Sequence, residues 1–114
     1  VKNVRISIAL PANILSKQAK NILVEIRDAS LADTSAALIT EKQLHNAVLA
    51  PNGNLEVVLN IPETNPKQIL IVRVHISIDG SNQIKSGDLL TTSFIEIPAD
   101  LGNNKLIVPV TLIN

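Results

Sequence analysis

Aliphatic residues recur at every second position over several stretches of the chain. The first stretch places Val4, Ile6, Ile8 and Leu10 between polar or small residues. A period of two puts alternate side chains on opposite faces of a β-sheet, so the pattern predicts strands with one buried and one wet face. The same spacing returns in three further stretches: Ile22, Val24 and Ile26; Leu55, Val57, Leu59 and Ile61; and Leu70, Val72, Val74, Ile76 and Ile78.

Turn-forming residues divide these stretches into about seven to nine short strands without helical periodicity. This organisation predicts an all-β fold, a two-sheet antiparallel β-sandwich with Ig-like strand spacing, in a single domain spanning residues 1–114. The predicted strands cover residues 3–10, 21–28, 37–46, 54–61, 68–79, 83–85 as a short edge strand, 89–97 and 105–113.

Three breaks carry further expectations about how the strands connect. Pro51-Asn52-Gly53 is the strongest hairpin signal, and it predicts that the strands on either side of it pair. The segment 62–66, with a proline at each end, is long enough to cross between sheets. Pro109 within the last strand predicts an edge position or a bulge.

Composition removes several classes of function. Ten basic residues balance ten acidic ones, which argues against nucleic-acid binding and against attraction to an anionic membrane. The chain has one aromatic residue, Phe94, so binding of sugars or single-stranded nucleic acid by aromatic stacking is not expected. No apolar run is long enough to span a membrane. The start at Val1, without a signal peptide, indicates a trimmed or mature form.

Candidate catalytic and metal-binding residues are sparse. His45 and His75 lie thirty residues apart without Cys, which is not zinc-ligand spacing. His75 shares the polar face of its strand with Arg73, and we expect a solvated side chain there; the alternative is a small polar patch for a partner. The segment between Asp28 and Asp33 favours turn capping over a calcium loop. We therefore expect no enzyme, no catalytic residue, no metal and no cofactor.

One strand and its neighbour carry aliphatic residues on both faces. Ile69 and Ile71 alternate with the inward set of residues 70–78, and Ile95 and Ile97 follow Phe94. Either the strand is central and covered on both sides, or the residues form an exposed patch for a partner. The predicted partner surface consists of Ile69, Ile71, Arg73, His75, Phe94, Ile95 and Ile97.

One segment resembles the signature of a small bacterial lipoprotein family. The run from Ile22 to Ile39, with Ser30-Leu31-Ala32-Asp33 at its centre and with Glu41 and Gln43 following, resembles the YbaY-type family, which shares a domain with the pilot lipoproteins of type III secretion. The strand ending in Asp79-Gly80 and the segment 89–93 also resemble the family, so that the likeness covers most of residues 3–113.

The resemblance implies an exported, non-enzymatic β-sandwich in the periplasm or outer membrane. It implies a lipid anchor on a Cys that would precede Val1, and, for pilot members, binding of a segment of a secretin or other envelope protein to assist assembly. The alternative is a small-ligand or polysaccharide-associated module, which needs a pocket with convergent polar groups. Arg73, His75 and Asp79 are the candidates for those groups.

Overall fold

The computed structural model describes residues 2–14, 16–30, 37–62, 68–93 and 95–113. Within these residues the chain forms strands and turns, and no helix there is long and apolar enough to cross a membrane. The strands in chain order are β1 (Lys2–Ala9), β2 (Lys17–Asp28), β3 (Ala37–Leu49), β4 (Asn54–Ile61), β5 (Leu70–Ser77), β6 (Leu89–Leu90), β7 (Ile95–Glu96), β8 (Lys105–Pro109) and β9 (Thr111–Leu112).

The strands form two sheets, which confirms the predicted all-β sandwich. The smaller sheet has the order β4-β1-β8. The larger has the order β3-β2-β5-β6-β9, with β7 pairing the same edge of β5 as β6 does. Pairing is antiparallel except between β1 and β8, which run parallel. A parallel pair needs a long connection, and here most of the chain separates the two strands.

The predicted alternation defines the core. Val4, Ile6 and Ile8 of β1 are fully buried, and they face Ile22 and other fully buried residues of the larger sheet. Since a buried aliphatic side chain contributes about 1.5–3 kcal/mol, this layer supplies most of the driving force for folding. The fully buried members are Val4, Ile6, Ile8, Ala19, Ile22, Val24, Ile26, Leu49, Val74, Ile76, Leu89 and Val108.

The turn at Asn52-Gly53 forms, but the predicted hairpin pairing is wrong. Asn52 has a φ of 60°, and the N–H of Gly53 donates to the carbonyl of Ala50 at 3.0 Å. The turn docks on the end of β1, because the N–H of Leu10 donates to the carbonyl of Gly53 at 2.9 Å. As a result β3 pairs with β2 and β4 pairs with β1. Turn chemistry sets a local chain reversal, and packing decides which strands pair.

Other predicted strands also differ from the observed ones, and some of them are divided or absent. Residues 83–85 form no strand, since the N–H of Gln83 donates to the Ser81 hydroxyl and that of Lys85 donates to the Asp88 carboxylate. The predicted strand 89–97 is divided into β6 and β7, and 105–113 into β8 and β9. β8 is an edge strand, as Pro109 predicts. β4 belongs to the smaller sheet and β5 to the larger, and residues 63–66 of the segment expected to cross between sheets lie outside the described residues.

Candidate functional site

A groove lies beside β5, at the interruption between β6 and β7. His75 and Ile76 pair with Leu90 and Leu89, whereas Val72 pairs with Ile95. Between these pairs β5 has two residues and the other segment has four, so the register shifts by two residues, as at a bulge. The groove has a volume of about 260 Å³ and is lined by Ile71, Val72, Arg73, Thr91, Thr92, Ser93 and Ile95.

Hydrogen bonds from Thr91 hold the bulge against β5. The N–H of Thr91 donates to the carbonyl of Val74 at 3.0 Å, and the Thr91 hydroxyl accepts from the N–H of Val74 at 3.1 Å. On the far side of the groove, the N–H of Ile97 donates to the carbonyl of Leu70 at 2.8 Å. Both ends of the interrupted segment are therefore hydrogen-bonded to β5.

The groove combines aliphatic walls with one cation. Ile71 and Ile95 are partly exposed, whereas Val72 is 2% exposed and forms the floor. Arg73 is exposed and pairs in register with Glu25. Arg27 Nη2 donates to the Glu25 carboxylate at 2.6 Å, and Arg73 has no ion pair with another described residue.

The structure brings together part of the predicted partner surface. Ile71, Arg73 and Ile95 line the groove. Ile69, just before β5, is 37% exposed but does not line it, and Ile97 is 8% exposed and belongs to the core. Phe94 lies outside the described residues. Since β5 is flanked by β2 on one side and by β6 and β7 on the other, its two-faced aliphatic pattern reflects a central strand whose outer face is only partly covered.

The prediction of a solvated His75 is wrong. Its side chain is 13% exposed, and Nε2 lies 2.9 Å from Oδ2 of Asp88, whose side chain is 3% exposed. Asp88 also accepts hydrogen bonds from the backbone N–H groups of Ile78 at 3.2 Å and Lys85 at 3.0 Å. This cluster joins β5 to the loop that leads into β6.

Asp79 and Asp28 are also engaged in local bonds. Lys85 Nζ lies 2.9 Å from Asp79 Oδ2, and this bond, together with the backbone N–H of Ser81, lowers the pKa of Asp79 to about 2. Oδ1 of Asp28 accepts the N–H of Ser30 at 2.9 Å, and hydrogen bonding to Ser30 lowers the pKa of Asp28. This bond confirms turn capping at the Asp28 end of the segment. Asp33 lies outside the described residues. Of the three candidates for a small-ligand site, Arg73 lines the groove, whereas His75 contacts Asp88 and Asp79 contacts Lys85.

Sequence reasoning missed the hydroxyl-bearing wall of the groove. Thr91, Thr92 and Ser93 follow Leu89-Leu90 and interrupt the aliphatic alternation before Ile95. That run of three hydroxyl residues was the available signal for a break in the strand.

A second groove lies between the edges of the two sheets, where β3 approaches β4. It has a volume of about 270 Å³ and a largely polar lining, and Lys42 Nζ crosses it to the carbonyl of Val58 at 3.2 Å. Across the described ranges of the chain, no group of three or more acidic or histidine side chains is placed to hold a metal ion.

Comparison with solved structures finds a likeness over nearly the whole chain. An alternative pilotin from the type II secretion system of Vibrio cholerae matches with a TM-score of 0.63 and 17% sequence identity, over 98% of this chain and 96% of that chain. At this identity the likeness shows that the chain shares the fold of that pilotin. No model of a known family matches the sequence, and no curated protein matches it.

Proposed function

We propose that this chain is a pilotin-like protein-binding domain of the bacterial envelope, which assists assembly of its partner and performs no catalysis. The main support for the proposal is the fold, which the chain shares with a pilotin. The Ser30-Leu31-Ala32-Asp33 segment adds a resemblance to the YbaY-type family, which shares a domain with the pilot lipoproteins of type III secretion. A secretin segment is the proposed partner, and the periplasm or outer membrane is the proposed location.

The groove beside β5 is the proposed binding site, and its aliphatic walls carry the proposal. Ile71 and Ile95 remain partly exposed at a strand edge that is otherwise closed by hydrogen bonds. Burial of such side chains by a partner gives about 25 cal/mol for each Å² of apolar surface removed from water. Grooves of this kind bind peptide segments through one or a few anchoring side chains.

The open shape of the groove argues against the small-ligand alternative, because pockets for small molecules bury most of the ligand surface. Pockets for small molecules usually have volumes of about 300–1,000 Å³, and this groove has about 260 Å³ and is open. It suits a single side chain of a larger partner better than an enclosed metabolite.

The experiment uses the secretin of the same organism, divided into overlapping soluble segments, and isothermal titration calorimetry against the purified domain. We expect one segment to bind with a Kd of about 1 μM, in the range of a small transient interface. Ser93→Trp fills the groove without touching the core, since Ser93 is exposed, and it should weaken binding at least tenfold.

Ser86→Trp is the matched control, because Ser86 is also exposed and does not line the groove. This variant should bind within twofold of the unmodified protein. The proposal fails if no secretin segment binds, or if Ser93→Trp and Ser86→Trp bind equally well.

A further inference from the structure

We infer that the groove recognises one aliphatic side chain and one carboxylate placed two residues apart in an extended partner segment. This inference rests on the proposed function, since it names the partner chemistry of the same groove. It follows from the placement of Ile71 and Arg73 on one face of β5.

The aliphatic half of the site accepts a single side chain. Val72 forms a buried floor, and Ile71 and Ile95 are the partly exposed walls. The volume of about 260 Å³ is below that of pockets that enclose whole small molecules. One Leu, Ile or Val from a partner would remove water from these walls without requiring β5 to move.

The carboxylate half of the site is Arg73. It is the one charged residue lining the groove within the described part of the chain. Glu25, its neighbour in register, is bonded to Arg27 at 2.6 Å, so the Arg73 guanidinium has no carboxylate of its own among the described residues. A guanidinium presents paired N–H donors that match a carboxylate in a bidentate bond.

The geometry of β5 determines the spacing between the partner's aliphatic side chain and its carboxylate, and the neighbouring charges determine how many carboxylates fit. Residues two apart on a strand lie about 7 Å apart on the same face. An extended segment of the form Leu-x-Glu therefore reaches Ile71 and Arg73 together. Glu96 is exposed and pairs in register with Ile71, so it would repel an acidic run. A single side-chain carboxylate therefore fits the site.

The test uses synthetic peptides with blocked ends and the sequence Ser-Thr-Leu-Ser-Glu-Thr-Ser, and versions with Gln or Lys in place of Glu or Ala in place of Leu. A fifth peptide ends in Leu-Ser with a free carboxylate. Binding is measured from ¹⁵N amide shifts of Ile71, Arg73, Thr92 and Ile95. We expect the Glu peptide to bind about five- to tenfold tighter than the Gln peptide, with Lys weakest.

Arg73→Gln should abolish the preference for Glu over Gln, whereas Arg5→Gln, at an exposed arginine of β1, should preserve it. Binding of the Glu peptide supports the inferred spacing, and binding of the free-carboxylate peptide alone would overturn it. Equal affinities for Glu, Gln and Lys would overturn the carboxylate assignment while leaving the proposed function intact. Absence of groove shifts with every peptide would overturn the inference, and the secretin titration would then decide the proposed function separately.

Discussion

Nε2 of His75 lies 2.9 Å from Oδ2 of Asp88, and this contact joins the middle of β5 to the loop before β6. The Asp88 carboxylate also accepts two backbone N–H groups, and its own carbonyl accepts the N–H of Ile113 at 2.9 Å. A single buried acid therefore ties together a central strand, a loop and the C-terminal strand region. The loop that ends at Asp88 leads directly into β6 and the groove.

Replacement of Asp88 by Ala should destabilise the protein by about 2–3 kcal/mol, because it leaves buried backbone donors and the His75 ring without their acceptor. Urea unfolding followed by circular dichroism measures the change. Asp100→Ala is the control: Asp100 is exposed, and the free energy of unfolding should change by about 0.5 kcal/mol or less. Equal effects of the two variants would show that the Asp88 bonds contribute nothing to stability.

The Asp79–Lys85 pair should make a contribution to stability that depends on pH. The pKa of Asp79 is lowered to about 2 in the folded protein by the bonds to Lys85 and Ser81, from 3.8. The stabilisation is therefore present above pH 3.8 and is lost as the pH falls through about 2. Asp79→Asn should lower the urea midpoint at pH 6, and its difference from the unmodified protein should shrink towards pH 2. A carbon-13 titration of the carboxylate that gave an ordinary pKa would contradict this.

Core packing predicts that Ile→Ala lowers the free energy of unfolding much more at a buried position than at an exposed one. Ile6 is fully buried on β1, and Ile107 on the adjoining β8 is 57% exposed. Ile6→Ala should cost about 2–5 kcal/mol, from lost burial and a cavity. Ile107→Ala should cost about 0.5 kcal/mol or less. Denaturant unfolding of both variants compares them directly, and similar losses would contradict the assignment of inner and outer faces.

Lys42 should prevent the edge strand β3 of the larger sheet from pairing with another molecule. β3 pairs only with β2 within the described chain, and Lys42 Nζ donates to the carbonyl of Val58 across the gap between sheets. Charged residues on edge strands prevent pairing between molecules. Lys42→Val should therefore self-associate as concentration rises, as measured by size-exclusion chromatography with light scattering. Lys20→Val, on β2, should self-associate no more than the unmodified protein does. If Lys42→Val and Lys20→Val behaved alike, Lys42 would have no protective role.

The aliphatic alternation predicted the inner faces of β1, β4 and β5, because a period of two depends only on local sequence. It did not predict which strands pair: the Asn52-Gly53 turn reverses the chain, but docking on Leu10 places its flanking strands in different sheets. The contact of His75 with Asp88 was missed for a similar reason. It joins residues thirteen apart through a loop, and no periodicity along the chain encodes it.

Part of the groove was predicted. The two-faced aliphatic pattern pointed to Ile71 and Ile95, and the polar face of the strand pointed to Arg73; all three line the groove. The Thr91–Ser93 wall was not predicted, because the bulge exists only relative to the pairing of β5 with β6 and β7. The register between two strands depends on both of them, so the sequence of one segment alone does not predict it.

The central claim is that a partner occupies the groove beside β5. The most direct measurement is a map of ¹⁵N amide shifts on addition of the secretin segment that binds. We predict that the largest shifts fall at residues 71–73, 91–93 and 95, and that Ser93→Trp removes them. Shifts concentrated on β3, or on the outer face of the three-stranded sheet around Val58 and Ile107, would contradict the claim.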